Sequence, residues 1–141
     1  MTPEERARRC AEAMWSADAA SKSMGFQLDE IGEGRAVMSM TVEPQHLNGH
    51  GICHGGIIFA LADSAFAFAC NSRNVQAVAQ HNSISYLAPG RLADRLVAVA
   101  VEVSLAGRSG IYDVRVTRGE AEAVAVFRGA SRLLSGSHFD E

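Results

Sequence analysis

The chain lacks any run of 18 apolar residues, so no segment reads as a membrane-spanning helix. Its first residues, MTPEERARRC, carry charges of both signs and no apolar stretch, which argues against a secretory signal. Cysteine is scarce and odd in number: Cys10, Cys53 and Cys70 cannot form a disulfide framework, and they point to a reducing, cytoplasmic setting. Excess positive charge is also missing. With 13 basic and 16 acidic residues the net charge is -3, which leaves no electrostatic footprint for nucleic acid or an anionic membrane. There are no internal repeats, low-complexity runs or linkers. No Gly-x-Ser-x-Gly elbow supports an α/β-hydrolase nucleophile. What remains is one domain, residues 1–141, 48% apolar and able to build a core without covalent staples.

Thr2-Pro3-Glu4-Glu5 has the chemistry of a helix start: a capping hydroxyl, proline at the first position and Glu5 to close a capping box. This first helix, within residues 1–24, is expected to run to about Ala20 and to stop near Met24-Gly25. Phe26–Ile31 and Arg35–Val42 alternate as strands around the turn Gly32-Glu33-Gly34. A loop rich in glycine and histidine follows, Glu43 to Cys53. Then comes the longest helical signal, His54 to Asn71, apolar almost all round and therefore expected to be buried. The remainder reads as strands: Val75–Leu87, Leu96–Leu105, Ile111–Arg118 and Ala123–Leu134. Turns at Pro89-Gly90, Ala106–Gly110 and Arg118-Gly119-Glu120 separate them. The tail, residues 135–141, is expected to fray. Strands running by hairpins beside segregated helices imply an α+β fold, with a largely antiparallel sheet wrapped around the long central helix.

Three features converge between Asn48 and Asn71. Gly55-Gly56 opens the central helix, where unpaired N–H groups and the helix dipole can polarise a carbonyl and where glycine lets a ligand approach. The same pair could merely start a helix against a tight neighbour. Asp63 lies inside that apolar helix, where a carboxylate is costly unless paired or used, and where desolvation raises its pKa toward that of a useful base. A structural aspartate is the alternative. Asn48, His50 and His54 form a polar group just before the helix. Asn48 can donate to a carbonyl or orient a water, and His54 can donate or cap. His46, His50, Cys53 and His54 fall within nine residues, yet no second ligand cluster follows, since the other histidines are His81 and His138, so no metal site is expected. Gly55 and Asp63 are eight residues apart, roughly 12 Å along a helix. If both act on one carbonyl they must come from two chains related by a two-fold axis.

At these residues the sequence resembles a known family. HLNGHGICHGGIIFALADSAFAFACNS is similar to the signature of hotdog-fold acyl-CoA thioesterases, most closely the phenylacetate-degradation (phenylacetyl-CoA) group. SYLAPG, GIYDVRV and AVAVFRGAS fit that group's strands, so the likeness runs from about Gly25 to Leu133. The resemblance implies a hotdog fold and hydrolysis of an aryl-, arylacetyl- or medium-chain acyl-CoA. It puts Asp63 at the catalytic carboxylate and Gly55 at the N–H that polarises the thioester. Asn48 and His54 fall at positions that hold the carbonyl or water. It further implies a homodimer with shared sites, commonly paired into a homotetramer, and no metal or redox cofactor. Where the family often has a basic residue before Pro-Gly, this chain has Ala88. Gly56, Arg91, Arg108 and Ser109 stand as candidates to bind the substrate, the arginines and serine by its coenzyme A portion. Two other readings remain: a hotdog enoyl-CoA hydratase or dehydratase using His54 with Asp63, and a non-catalytic acyl-CoA-binding regulatory domain.

Overall fold

Thr2 starts helix α1, Pro3–Ala17, by the expected reciprocal cap: its Oγ1 accepts from Glu5 N at 3.1 Å, and Glu5 Oε2 accepts from Thr2 N at 2.9 Å. The computed structural model describes residues 1–119 and 122–141. The first helix does not reach Ala20. Asp18 interrupts it, because its carboxylate caps a new short helix, α2, Ala19–Ser23. Oδ1 accepts from Ser21 N at 2.9 Å and Oδ2 from Ser21 Oγ at 2.7 Å.

Strands β1, Gln27–Gly32, and β2, Arg35–Thr41, form the first hairpin. A single 3-10 turn, Pro44–His46, lies in the following loop, and the central helix α3 spans Gly55–Cys70. Four strands complete the chain: β3, Ala77–Tyr86; β4, Arg95–Ala106; β5, Ser109–Arg118; and β6, Glu122–Leu133. Glu120 of the expected turn before β6 lies outside the described residues. All pairings are antiparallel, in the order β1-β2-β4-β5-β6-β3. The expected run of hairpins therefore holds for β4, β5 and β6 but not for β3. Asn71, at the end of α3, ties the first residue of β3 to the helix: its Oδ1 accepts from Ala77 N at 2.8 Å and its Nδ2 donates to Ala77 O at 3.2 Å. β3 consequently enters at the far edge, beside β6, with Ala77 opposite Leu133 and Tyr86 opposite Ala125.

The valines and alanines of β4 divide between the two faces of the sheet. Leu96, Ala98 and Ala100 are fully buried in the core with α3, whereas Val101 and Val103 are exposed on the outer face. Small residues inside leave room for the bulk of Ile58, Leu61 and Phe66. The helix packs tightly on the sheet at Gly129 of β6, across which the Phe66 ring lies between Tyr112 and Phe127, at centroid distances of 5.6 and 5.8 Å.

The tail does not fray. Asn74 Oδ1 accepts from His138 N at 2.9 Å and Phe139 N at 3.2 Å, Gln76 N donates to Gly136 O at 3.0 Å, and Glu141 pairs with Arg6 of α1. Backbone capture of this kind is what holds a terminus against fraying. Among the described residues no helix is long and apolar enough to cross a membrane.

A Cβ at position 129 would sit 2.8 Å from three atoms of the Phe66 ring. Gly129→Ala is expected to lower stability by about 1–3 kcal/mol through overpacking. Urea unfolding measures it, and an unchanged midpoint would show that the ring can shift at no cost.

Candidate active site

The loop before α3 is shaped by its own polar groups. Asn48 Oδ1 accepts from His50 N at 2.9 Å and from Ile52 N at 3.3 Å, while Asn48 N donates to Ile52 O at 2.8 Å. The Asn48 carbonyl oxygen is thus committed to the loop, and only its amide N–H2 is left for a ligand. Backbone bonds from Cys53 N to Gly90 O, 2.7 Å, and from His54 N to His46 O, 2.8 Å, fix the approach to the helix. His54 is the N-cap: Nδ1 accepts from Gly56 N at 2.8 Å, which places the ring proton on Nε2. The cap takes up the Gly56 N–H, so Gly56 does not offer the ligand contact expected of it. Its neighbour does. The Gly55 N–H meets no acceptor among the described residues, and it stands at the positive end of a 16-residue helix. A donor fixed in this way is suited to a carbonyl oxygen that gains charge.

Asp63 sits eight residues further on, half-buried. Asn82 Nδ2 of β3 donates to Asp63 Oδ1 at 2.9 Å. Burial pushes the Asp63 carboxyl above the ordinary carboxylate range, and the Asn82 N–H partly opposes it. Asp63 forms no ion pair among the described residues. Asn82 was not singled out from the sequence. Its only signal there is a polar residue at strand spacing from Ile84 and Tyr86, which share its face of β3.

β3 touches both ends of this part of α3. Tyr86 OH donates to Gly55 O at 2.8 Å, and Asn82 holds Asp63. Four residues of strand span about 13 Å and eight of helix about 12 Å, so the helix runs antiparallel alongside the edge strand. The two candidate groups stay apart within the chain but lie along one open sheet edge.

The histidines do not converge on a metal. His46 is buried and fully used: Nδ1 accepts from Glu43 N at 2.9 Å, and Nε2 donates to Met24 O at 2.8 Å. His50 is exposed, and among the described residues no three metal-binding side chains cluster. Burial pushes the Cys53 thiol up to about 11, which favours the neutral thiol at neutral pH. Nor does His54 bond to Asp63, whose partner is Asn82. Arg91 lies in the connection after Gly90, beside Cys53 and hence near the Gly55 end. Arg108 and Ser109 form the β4–β5 turn, level with Leu133 and Ala77, at the opposite end of the sheet.

Residues 50–125 match the family described as the thioesterase superfamily. The chain is 43% identical over 127 residues to the Escherichia coli acyl-coenzyme A thioesterase PaaI, covering 90% of this chain and 91% of that protein. The structure of the E. coli PaaI protein from the phenylacetic acid degradation operon superposes with a TM-score of 0.94 at 41% identity, covering 96% of this chain and 99% of that one. A Streptococcus mutans protein bound to acetyl-CoA superposes with a TM-score of 0.76 at 28% identity, covering 79% and 90% of the respective chains.

The raised pKa of Asp63 has a consequence for stability. A folded-state pKa above the unfolded value favours folding fully only below the unfolded pKa, about 4, and that contribution is lost as pH rises through the folded value. At pH 7 the ionised carboxylate therefore weakens the fold. Asp63→Asn keeps an acceptor for Asn82 and is expected to melt at a higher temperature than wild type at pH 7, with the gap closing below about pH 4. Thermal melts at both pH values check this; an equal or lower melting temperature at pH 7 would contradict it.

Proposed function

This chain belongs to the thioesterase superfamily, and we propose that it hydrolyses acyl-CoA thioesters to free acid and coenzyme A. The acyl group is an aryl or arylacetyl unit, by likeness to the relative from the phenylacetic acid degradation operon, or a medium chain. The Gly55 N–H polarises the thioester carbonyl, with the Asn48 amide and the His54 Nε2–H beside it. Asp63 of a second subunit either takes a proton from the attacking water or attacks the carbonyl itself to give an anhydride that water then opens. In either course a C–O bond forms, the C–S bond breaks and the sulfur leaves as the thiol. Arg91, at the Gly55 end of the sheet, and Arg108 with Ser109, at the opposite end, are the candidate partners for coenzyme A.

The observation that carries this reading is the matched spacing of Gly55 and Asp63 along β3. A two-fold axis through the edge midway between Asn82 and Tyr86 brings Gly55 of each subunit to Asp63 of the other and builds two equivalent sites. The dimer is the smallest active unit. Val101, Val103 and Val126, exposed on the outer face of the sheet, support a second association into a homotetramer. Three unpaired cysteines, all buried, suit a cytoplasmic protein.

Thiol release measured over a panel of acyl-CoA substrates tests the activity. Hydration of an enoyl-CoA, or tight binding with no thiol release, would favour the hydratase or the regulatory reading instead. The chemistry uses no metal, so activity should survive prolonged EDTA treatment and dialysis. Loss that zinc restores would restore the histidine cluster as a metal site.

Complementation tests the shared site. Asp63→Asn and Asn48→Asp subunits should each be nearly inactive; the second keeps the oxygen that organises the loop and removes the donor. Equal amounts unfolded and refolded together give about half mixed dimers, each with one intact site of two. Activity should therefore return to about a quarter of wild type. Samples refolded separately and then mixed are the control. No gain, with mixed dimers confirmed by mass, would place both groups in one chain.

A further inference from the structure

We infer that Asn82 is a positioning residue for Asp63: its amide N–H ties down one carboxylate oxygen and leaves the other oxygen free to act. The inference rests on the catalytic role proposed for Asp63.

Two features of the geometry support it. Asn82 Nδ2 lies 2.9 Å from Asp63 Oδ1, while its own Oδ1 is buried and meets no donor among the described residues. Turning the amide over would be worse, because a carboxylate would face an oxygen and two N–H donors would take the place of one orphaned acceptor. A residue kept only for packing would have no polar atom there, since a buried unpaired acceptor weakens the fold. The amide is thus accounted for by the one bond it makes.

No competing charge explains the same effect. On α3 the Cys70 thiol is pushed up to about 12 and stays neutral. β3 presents Asn82. On β4 and β5, Glu102 and Tyr112 bond to one another, and Glu102 also pairs with Arg73. β1, β2 and β6 present no buried charged side chain among the described residues. With desolvation raising the Asp63 pKa, the Asn82 N–H is the one group opposing it.

The test compares wild type, Asn82→Leu and Asn82→Gln for kcat, KM and the pH profile of thiol release. Leucine fills the space without a donor, and glutamine keeps the amide. In Asn82→Leu the acid limb of kcat/KM should move up by about one pH unit, which is about tenfold in rate below the limb. kcat should fall while KM holds. Glutamine should recover part of the loss. A 13C titration of the Asp63 carboxyl in Asn82→Ala, which has no donor, reads the same shift without activity and covers a leucine variant that fails to fold. An unmoved acid limb and an unmoved carboxyl titration, with wild type active and Asp63→Asn inert, would overturn the role of Asn82 alone. A fully active Asp63→Asn would instead remove the reading of Asp63 on which it stands.

Discussion

Helix α3 has no broad polar face, and its enclosure governs the arrangement of the other elements. Half of its sixteen residues are buried, among them Ile58, Leu61, Phe66 and Phe68. An amphipathic helix could lie on a flat sheet with one side in water, but a helix this apolar needs a sheet that curves around it. The six strands supply that curve. Their inner positions are small where the helix is bulky, at Ala36, Ala98, Ala100 and Gly129, so the backbone can approach the helix closely.

That enclosure is incomplete along one side, and the polar chemistry collects there. β3 is an edge strand, joined only to β6. Through Tyr86 and Asn82 it holds the start and the middle of α3. A carboxylate at Asp63 can be tolerated because it faces this edge and not the centre of the core. The position still opposes folding, since burial holds its pKa up and no cation among the described residues relieves it. Stability traded for a poised group is a common feature of active sites.

Much of this was legible in the sequence, and the physical reason differs from residue to residue. Asp63 and Gly55 stood out because each departs from its surroundings, a charge amid apolar residues and a glycine pair at a helix start. The central helix was legible for its length and alanine content. Gly56 looked equivalent to Gly55, but His54 caps one N–H and not the other, a choice made by side-chain geometry that residue order does not record. The division of the first helix at Asp18 turned on whether a carboxylate would point at the backbone or at solvent. The docking of the tail depended on Asn74, 60-odd residues away in sequence from the groups it binds. Strand alternation was plain in β4, yet alternation alone could not say whether valine or alanine faced inward. That was decided by the bulk of α3, which belongs to a different part of the chain.

Asn82 is the clearest case of information that lies in the pairing of elements. In sequence it is one polar residue among several in AVAQHNSISY, with nothing to separate it from Gln80, His81 or Ser83. It becomes distinct only because β3 crosses to the far edge and pairs with β6, which sets Asn82 opposite Gly129 and beside Asp63. Had β3 formed a hairpin with β4, as strand order alone suggests, its inner face would have met other residues. The long-range pairing fixes which strand residue Asp63 meets. The same pairing leaves the β3 edge open, so the strand that holds the carboxylate is also the one that a second subunit would have to approach in the proposed dimer. Positioning of the acid and assembly of the shared site therefore depend on a single strand, and a change in its register would disturb both together.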